Sequence, residues 1–533
     1  MPAEQAALGF EHLDLSIEVR PATQTIAGTA VLDLAARAPI TVVLLDLDRN
    51  LPVRAIRLDG AALPRSAWSN PEGRLRIALP RPVPAGARFS LAITYDGVPH
   101  VAVKAPWDGG FVWARTPAGK PWIATAVQGE GCDLLWPCID QPTGEPALAD
   151  LHITVPAGLS APANGVLIGV DRLADGRTRW NWRAKHPDTY AIALNVGPYR
   201  VLKDRYRSRF GNIIPLEYWY LEGEEDKARG LFAEFAPTLD FFEATIGPYP
   251  FGDEKMAVVE TPHLGMEHQT INAYGNGYKR DAYGFDWLFE HEFSHEWFGN
   301  QLTNRNWDDM WLHEGFGTYM QPLYGRWRGG DMPYLAMLQT ERAQILNAHP
   351  IVSGQPRTEE QVYEDEAGPG SDIYWKGSWI AHTLRGLIGD EAFFECLRRL
   401  VYGRPDPRPG NFRPRYGTTA EFEAIVNQVT GRDYRWFFDV YLREAALPAL
   451  TVQRTGARAD LRWVVPAGKP FPMPVELRIG DREVRLAMAD GSGTIAVPEG
   501  AWLLVDPHNR ILRRSIDIDR FQAWKAAQPP ARR

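Results

Sequence analysis

The sequence predicts a multidomain α+β protein with an N-terminal antiparallel β domain, a mainly helical middle domain and a small C-terminal β-sandwich domain. Three observations support this prediction. Hydrophobic residues alternate with polar ones from about residue 10 to 200, follow a helical period from about 204 to 447, and alternate again from Leu450. The expected domains are residues 1–203, 204–447 and 448–515, with a C-terminal tail at 516–533.

The N-terminal β domain is predicted from segments with a period of two. The alternation recurs, with intervening Pro and Gly turns, in LRIALP, FSLAITY, LHITVP and YAIALNV. Short strands that follow one another without helices predict an antiparallel sheet. In the first segment the apolar positions are Leu13, Leu15, Ile17 and Val19.

The middle domain is predicted from helical patterns. One apolar stripe stops at Gly247-Pro248, and a later segment, TTAEFEAIVNQV, opens with Thr418 and Glu421 at the spacing of a capping box. RWFFDVYL follows as another amphipathic helix. The residues of the first stripe are Leu231, Phe232, Phe235, Leu239, Phe242 and Ile246.

The last domain is predicted from a second set of alternating residues. The chain then closes in the segment QPPARR, which we expect to be a frayed end. The alternating residues are Val475, Leu477 and Ile479, followed by Val484, Leu486 and Met488.

Composition narrows the class of partner. The 533 residues are 45% hydrophobic and 23% charged, with a formal net charge of -8 and no block of Lys and Arg. Nucleic acids and anionic membranes require a clustered positive field, so we expect neither as a partner. No basic leader precedes an apolar segment, and no apolar run approaches the roughly 18 residues of a membrane span, so we expect a cytoplasmic protein.

The three cysteines are Cys132, Cys138 and Cys396. They are too few for a disulfide framework, and free, buried thiols are the expected state. Cys132 and Cys138 remain an alternative pair if the loop between them brings them together.

Polar residues concentrate in HEFSHEWFGNQLTNRNWDDMWLHEG, residues 291–315. His291 and His295 are four residues apart, so on a helix both rings project from one face and can share a cation. Glu292 lies between them. The H-E-x-x-H pattern combines two zinc ligands with a carboxylate that acts as a general base.

Catalytic zinc requires a third protein ligand and an open position. Glu314 follows His295 after 18 residues, a gap that holds the rest of one helix, a turn and the start of a second helix. We therefore expect Glu314 opposite the histidines. His313 is adjacent but points about 100° away, and Asp309 is either a partner of a ligating imidazole or only an N-terminal helix carboxylate.

An alternative is that these polar residues form the exposed face of an ordinary helix pair. The same two helices also carry many apolar residues, which predicts that both are interior. Charges buried in such a place need a partner such as a metal ion. The apolar residues are Trp287, Leu288, Phe289, Phe298, Trp311, Leu312 and Phe316.

HEFSHEWFGNQLT followed by WLHEGFGTYM resembles the zinc-binding signature of the aminopeptidase N family of zinc metallopeptidases, which belong to the thermolysin-like gluzincins. The resemblance runs over nearly the whole chain. It implies that His291, His295 and Glu314 bind one zinc ion per chain and that Glu292 activates water. It also implies a thermolysin-like catalytic domain at residues 204–447.

HLGMEHQT resembles the exopeptidase motif of the family, usually Gly-Ala-Met-Glu-Asn. The resemblance implies that Glu267 binds the substrate amine and that Gly265 and Met266 contact the substrate. Leu264 and His268 depart from the motif, where the family has Gly and Asn, which puts the backbone contacts and the pocket shape in doubt.

Two further segments carry implied site residues. IYWKGSW resembles the Tyr-x-Lys-Gly stretch of the family, whose tyrosine hydroxyl stabilises the tetrahedral intermediate, so Tyr374 takes that role. VQGEGCDLLWPCIDQP resembles the segment in which a Gln and a Glu line the amine site, and Gln128 and Glu130 are the candidates. The spacing to Asp140 is shorter than in the family, so both assignments stay open.

The resemblance implies a zinc-dependent aminopeptidase of peptide catabolism that acts on peptides with a free N-terminus through metal-activated water. Many members carry a large helical C-terminal domain, and we expect a short form without it and a more open cleft. A homo-oligomer is left open. The alternatives are an epoxide hydrolase of the same family, or a non-catalytic scaffold, and cobalt or manganese also fit two His and one Glu.

Overall fold

A computed structural model of the protein describes residues 2–364, 366, 368–410 and 412–528. The chain is divided by its packing into two compact units. The first unit contains the residues up to Thr303 together with Arg408–Tyr416, and the second contains Asn304–Pro407 together with the residues from Gly417 onward. Two short strands, Leu302–Asn304 and Arg415–Gly417, contain boundaries between the units. The expected boundaries at 203/204, 447/448 and 515/516 stay predictions.

An eight-stranded sheet dominates the first unit. Neighbouring strands are antiparallel, except that Leu8–Arg20 and Leu148–Val155 run parallel. This parallel pair is a departure from the expected antiparallel sheet. In spatial order the strands are Val166–Arg172, Thr178–Lys185, Leu148–Val155, Leu8–Arg20, Thr25–Ala36, Arg88–Gly97, Val53–Leu58 and Ala61–Ala62.

The alternation of the sequence forms one face of this sheet. Leu13, Leu15, Ile17 and Val19 are all buried, as expected for residues two apart on a strand. Their neighbours across the sheet are also apolar, for example in the register pair of Leu13 with Leu32. The period of two therefore placed this core correctly.

Beside the eight-stranded sheet, the described residues of the first unit form three smaller sheets. Two of these sheets have three strands each, and the third has five. In spatial order they are Asn195–Val196, Pro121–Ala126 and Gly110–Arg115; Ile40–Asp46, Arg74–Val83 and Trp68–Ser69; and Tyr199–Arg207, Ile213–Leu221, Met256–Glu260, Asn272–Tyr274 and Gly265–Met266.

The helices of the first unit include a correction to the sequence prediction. The apolar stripe predicted as one helix forms two, which are separated at Ala233 and Glu234. The rings of Phe232 and Phe235 pack 4.9 Å apart across the break, so the apolar face continues although the helix does not. The four helices are α1 (Ala3–Ala6), α2 (Glu225–Phe232), α3 (Phe235–Thr245) and α4 (Trp287–Ser294).

The second unit is helical and ends in two small sheets. Thr418 accepts a hydrogen bond from the backbone N–H of Glu421, which confirms the predicted N-terminal cap. The helices are α5 (Trp311–Gly329), α6 (Asp331–Arg342), α7 (Glu360–Tyr363), α8 (Asp372–Ile388), α9 (Asp390–Tyr402), α10 (Thr419–Thr430), α11 (Arg435–Tyr441) and α12 (Ile516–Ala526). Short 3₁₀ segments in the two units are Arg65–Ala67, Pro71–Gly73, Cys132–Leu134, Trp307–Asp309 and Pro466–Gly468.

The C-terminal β region has two three-stranded sheets. Helix α12 follows it in the segment that the sequence assigned to a tail, and the closing QPPARR lies outside the described residues beyond Gln528. The predicted class, β-rich then helical then β, is confirmed. The strands in spatial order are Ala449–Thr455, Arg458–Val464 and Ser492–Ala496, and then Arg482–Leu486, Val475–Ile479 and Leu503–Val505.

The expectation of three free thiols is wrong for two of them. Cys132 and Cys138 form a disulfide with their Cα atoms 6.2 Å apart, while Cys396 is free and buried. The short 3₁₀ segment Cys132–Leu134 turns the chain so that two cysteines only six positions apart in the sequence meet. None of the helices in the described part of the chain combines the length and apolarity required to span a membrane.

Candidate active site

Helix α4 carries the two histidines of the H-E-x-x-H pattern. Asp286 starts the helix by accepting hydrogen bonds from the backbone N–H groups of Leu288 and Phe289. One turn separates His291 from His295, so their rings meet at a centroid distance of 4.7 Å and their Nε2 atoms lie 3.3 Å apart. The spacing therefore gives the convergence that the sequence predicted.

Helix α4 is followed by a π-helical turn directly after the histidines. Glu296–Gln301 forms a π-helical turn in which the backbone N–H of Asn300 donates to the carbonyl oxygen of His295. Phe298 has non-helical dihedrals, φ -108° and ψ 67°, and its carbonyl oxygen accepts a hydrogen bond from Nδ1 of His295 at 2.9 Å. The sequence predicted a regular continuation here and missed this turn.

The turn determines which nitrogen of His295 can bind a metal. A carbonyl oxygen only accepts, so the proton is on Nδ1 and the lone pair of the neutral ring is on Nε2. Burial, with a smaller effect of His295, holds the pKa of His291 well below its ordinary value. The two imidazoles thus present Nε2 atoms to the same point, and a divalent metal binds such nitrogens in their unprotonated form.

The apolar surroundings expected for these helices are largely present. Leu288, Phe289 and Phe298 are buried, but Trp287 is 36% exposed at the first position of α4. The prediction that Trp287 is interior is therefore wrong. Position 287 lies at the helix N-terminus, on a different face from the buried Leu288 and Phe289.

Two carboxylates converge on His295. Side-chain oxygens of Glu267 and Glu292 and a ring nitrogen of His295 all lie within 4.8 Å of one another, and all three residues are buried. Gly265 makes room for this arrangement, because a Cβ atom at that position would clash with Oε1 of Glu292. The structure thus brings together Glu267, Glu292 and Gly265, three of the candidate site residues.

The strand Gly265–Met266 places Glu267. It pairs with Asn272–Tyr274 at the edge of the five-stranded sheet, and the chain leaves that edge at Glu267. Gln128 donates from Nε2 to Oε1 of Glu267 at 2.7 Å, so these two candidate residues meet. Glu130 is exposed and packs against Gly109, where a Cβ atom would come within 2.5 Å of the Cβ atom of Glu130.

In the second unit, Glu314 lies in the first turn of α5. Its Oε1 atom accepts hydrogen bonds from the hydroxyls of Tyr363 at 3.0 Å and Tyr374 at 2.9 Å. Asp309 accepts from the backbone N–H of Thr419 at 2.8 Å, which supports its interpretation as a structural carboxylate near the helix N-terminus.

Helices α5 and α8 approach closely enough to make the contact between Glu314 and Tyr374. A Cβ atom on Gly377 would lie 2.8 Å from the Cα atom of Gly315, so only glycine allows this crossing. Lys376, next to Gly377 on α8, donates to the carbonyl oxygens of Glu444 and Ala445. Burial lowers the pKa of Lys376 to about 8.

The profile of the Peptidase family M1 domain matches residues 278–404. Among curated proteins, aminopeptidase B of Mus musculus is 28% identical over 419 residues, which are 72% of this chain and 61% of the relative. Leucyl aminopeptidase of Saccharolobus solfataricus is 24% identical over 352 residues, which cover 61% of this chain and 41% of the relative.

Solved structures agree with these similarities. A two-domain M1 zinc metallopeptidase variant bound to L-tryptophan superposes with a TM-score of 0.69 at 25% identity, over 83% of this chain and 95% of that chain. The M1 zinc metallopeptidase from Deinococcus radiodurans gives 0.67 at 25% identity, over 83% and 94%. Residues 278–404 are thus a Peptidase family M1 domain.

The M1 domain and the similar M1 zinc metallopeptidase structures confirm the resemblance to the aminopeptidase N family of zinc metallopeptidases. The chain spans about three fifths of the length of mouse aminopeptidase B. The individual roles of the candidate site residues stay predictions.

Two tyrosines of this M1 site were missed from the sequence. Tyr190 donates from its hydroxyl to Oε1 of Glu267 at 2.8 Å, and Tyr363 donates to Glu314. YAIALNV was assigned only as a strand, and no motif marks Tyr363. Neither contact has a local sequence signal, since the partners are 77 and 49 residues apart.

The departures from the M1 exopeptidase motif also have a place in the structure. His268, where the family has Asn, is fully buried with its ring 6.5 Å from that of His263. Burial lowers the pKa of His268 to about 3 and that of His263 to about 4. Both rings are therefore neutral at pH 7 and supply no positive charge next to Glu267.

Proposed function

We propose that this chain is a zinc-dependent aminopeptidase that removes the N-terminal residue of peptides. The observation that carries the proposal is the convergence of His291 and His295 with their Nε2 atoms 3.3 Å apart. The tautomer of His295 is fixed by Phe298, which directs its lone pair into the same place. Two nitrogens held in this way are half of a catalytic zinc site.

Glu314 is the proposed third ligand. Its carboxylate lies on a separate helix from the histidines, in the family's zinc-binding pattern, and the hydroxyls of Tyr363 and Tyr374 hold its Oε1 atom. Two imidazoles and one carboxylate suit zinc and leave a position open. Zinc bound by this set would act as a Lewis acid that polarises the substrate carbonyl and acidifies water.

Glu292 is the proposed general base. It follows His291 on α4, and its carboxylate lies close to His295 in a buried position. From there it can accept a proton from the attacking water and deliver it to the leaving amine. Its side chain holds the proton between these two steps.

Tyr374 is the proposed donor to the oxyanion. Attack on a peptide carbonyl puts negative charge on the oxygen, and a phenolic hydroxyl stabilises that charge more in the transition state than in the ground state. Loss of one such donor typically raises the barrier by about 3 kcal/mol. Tyr374 donates to Glu314 in this structure, and Tyr363 can hold Glu314 when Tyr374 turns to the substrate.

Glu267 is the proposed anchor of the substrate amine. An ionised carboxylate in a buried place attracts a free α-ammonium group, whereas a blocked N-terminus leaves the carboxylate desolvated and unpaired. Gln128, which donates to the same carboxylate, is the proposed companion of Glu267. We retain Gly265 and Met266 as proposed substrate contacts, and Glu130 has the weakest support because its side chain is exposed.

A panel of aminoacyl fluorogenic amides tests the proposal. Each amide is offered free and N-acetylated, with and without a chelator, and then with added zinc. We expect turnover of free amides alone, its loss on chelation and its return with zinc. Equal rates on free and acetylated amides, or turnover that survives chelation of all metal, would refute it.

The similar proteins are aminopeptidases, which favours neither the epoxide hydrolase nor the scaffold. Incubation with a lipid epoxide provides the direct comparison. Hydrolysis of the epoxide in the absence of any turnover of aminoacyl amides would favour the epoxide hydrolase.

A further inference from the structure

Two neutral donors converge on one oxygen of Glu267. Nε2 of Gln128 and the hydroxyl of Tyr190 both donate to Oε1, at 2.7 and 2.8 Å. The side chain of Glu267 is only 3% exposed. Fixing one carboxylate oxygen in this way sets the direction of the other oxygen, Oε2.

The loop that carries Tyr190 is itself held on both sides. Asp188 accepts a hydrogen bond from the hydroxyl of Thr303 at 3.1 Å, and the backbone N–H of Ala191 donates to the carbonyl oxygen of Asp188 at 3.1 Å. Asn164 donates from Nδ2 to the carbonyl oxygen of Ala191 at 2.8 Å. The hydroxyl of Tyr190 therefore projects from a tight, buried turn and has little freedom to leave Glu267.

The backbone of Glu267 is fixed as well. Asn300 donates from Nδ2 to the carbonyl oxygen of Glu267 at 2.9 Å, and Gly265–Met266 is paired in the sheet. Since main chain and carboxylate are held independently, removing the tyrosine hydroxyl should release the carboxylate without moving the strand.

The charges around Glu267 favour a cationic ligand. Tyr190 and Gln128 are neutral, so they stabilise the ionised carboxylate without cancelling its charge, as an Arg or Lys partner would. Burial, with a smaller effect of Glu267, raises the pKa of Asp188 to about 8, while its hydrogen bond from Thr303 lowers it. Asp188 is thus mostly neutral at pH 7 and adds little negative charge to the surroundings of Glu267.

We propose that Tyr190 is a positioning residue that orients the carboxylate of Glu267 toward the α-ammonium group of the substrate. The inference rests on the proposed aminopeptidase function and extends it to a residue outside the recognised motifs. It assigns to Tyr190 a part of the preference for free N-termini, because a misdirected carboxylate binds the ammonium less well.

The test is Tyr190→Phe, which removes one oxygen atom, studied with the zinc-loaded protein and free aminoacyl amides. A hydrogen bond to a charged group contributes enough that we expect KM to rise roughly tenfold. We expect kcat to change less than about twofold, because the reacting atoms are not touched. A role in the fold alone would change the thermal midpoint and leave KM unaltered.

Tyr199→Phe is the matched control. The hydroxyl of Tyr199 donates to the carbonyl oxygen of Glu260 at 2.9 Å, so the same atom is lost from a buried hydrogen bond elsewhere in the unit. We expect its KM to equal that of the wild type. Replacement of Tyr190 by 3-fluorotyrosine keeps the hydroxyl and should keep KM near the wild-type value even if Tyr190→Phe folds poorly.

The outcomes separate this inference from the function on which it rests. An unchanged KM in Tyr190→Phe, with a wild type that still requires a free amine, would overturn the role of Tyr190 alone. A tenfold rise in KM for the protein that carries 3-fluorotyrosine in place of Tyr190 would also overturn the role of Tyr190. A wild type that turns over acetylated and free amides equally would remove the proposed function and this inference together.

Discussion

Nδ1 of His295 donates a hydrogen bond to the carbonyl oxygen of Phe298 over 2.9 Å, and that carbonyl is available because α4 gives way to a π-helical turn. In a regular helix the carbonyl of Phe298 would be directed along the helix axis, toward the N–H group four residues further on. The distortion therefore belongs to the metal centre, since it fixes the tautomer that leaves Nε2 of His295 open.

Replacement of Glu292 by Gln should leave zinc binding intact and reduce kcat by about a hundredfold or more, because Gln cannot take up a proton. Glu290→Gln on the same helix is the control. Burial holds the pKa of Glu290 well above its ordinary value, which favours the uncharged form that Gln resembles, so this replacement should have little effect. A Glu292→Gln enzyme with the wild-type kcat would contradict the assignment of the base.

Gly265→Ala should reduce kcat at least tenfold through Glu292, because the new methyl group would clash with Oε1 of Glu292 and push that carboxylate away. Assays that are stopped at fixed times, with saturating substrate, measure this change in kcat. Gly230→Ala in α2 is the control, since nothing lies within 4 Å of its Cβ position. Equal activity of the two variants would show that Glu292 is not held as the structure has it.

Tyr363→Phe should weaken zinc binding by roughly 10- to 100-fold, as is typical when a residue that orients a metal ligand is lost. The hydroxyl of Tyr363 is one of the two that hold Glu314. Competition with a chromophoric chelator measures the affinity. In the control, Tyr441→Phe, the lost hydroxyl donates to the carbonyl oxygen of Leu512 instead, and the affinity should not change. Identical affinities would argue against Glu314 as a ligand.

The stability of the protein should depend on pH through Glu341. Burial raises its pKa to about 8, while the hydroxyl of Ser378 donates to it. Between about 4.5 and 8 the folded state keeps a proton that the unfolded chain has lost, so the free energy of unfolding falls as pH rises, by roughly 1 kcal/mol per pH unit. Below about pH 4.5 Glu341 is protonated in both the folded and the unfolded state, so it no longer makes the free energy of unfolding depend on pH.

Glu341→Gln removes this titration. Thermal unfolding of both proteins from pH 5 to 8.5 should show a difference in favour of the variant that grows with pH and levels off above about 8. If the stabilities of the wild type and of Glu341→Gln change in parallel with pH over that range, Glu341 does not keep its proton in the folded state.

Sequence spacing predicted those parts of the site that lie within one element. His291 and His295 are one turn apart, and Thr418 caps the helix that its pattern indicated. The alternation of Leu13 to Val19 likewise predicted a buried sheet face. In each case the geometry follows from the period of a single helix or strand.

The contacts that could not be predicted join distant parts of the chain. Tyr190 meets Glu267 only because a buried turn and a sheet edge come together, and the Cys132–Cys138 bond depends on a 3₁₀ turn that has no hydrophobic period. The break at Ala233 in the apolar stripe was also invisible, since α2 and α3 keep the same apolar face.

The most direct test of the central claim, one zinc ion held by His291 and His295 with Glu314, is a titration of zinc into metal-free protein. Bound zinc and turnover of a free aminoacyl amide are measured in the same samples. We expect both to rise together and to stop at one equivalent per chain. Full turnover in protein that contains no zinc, or saturation with zinc without any turnover, would contradict the account.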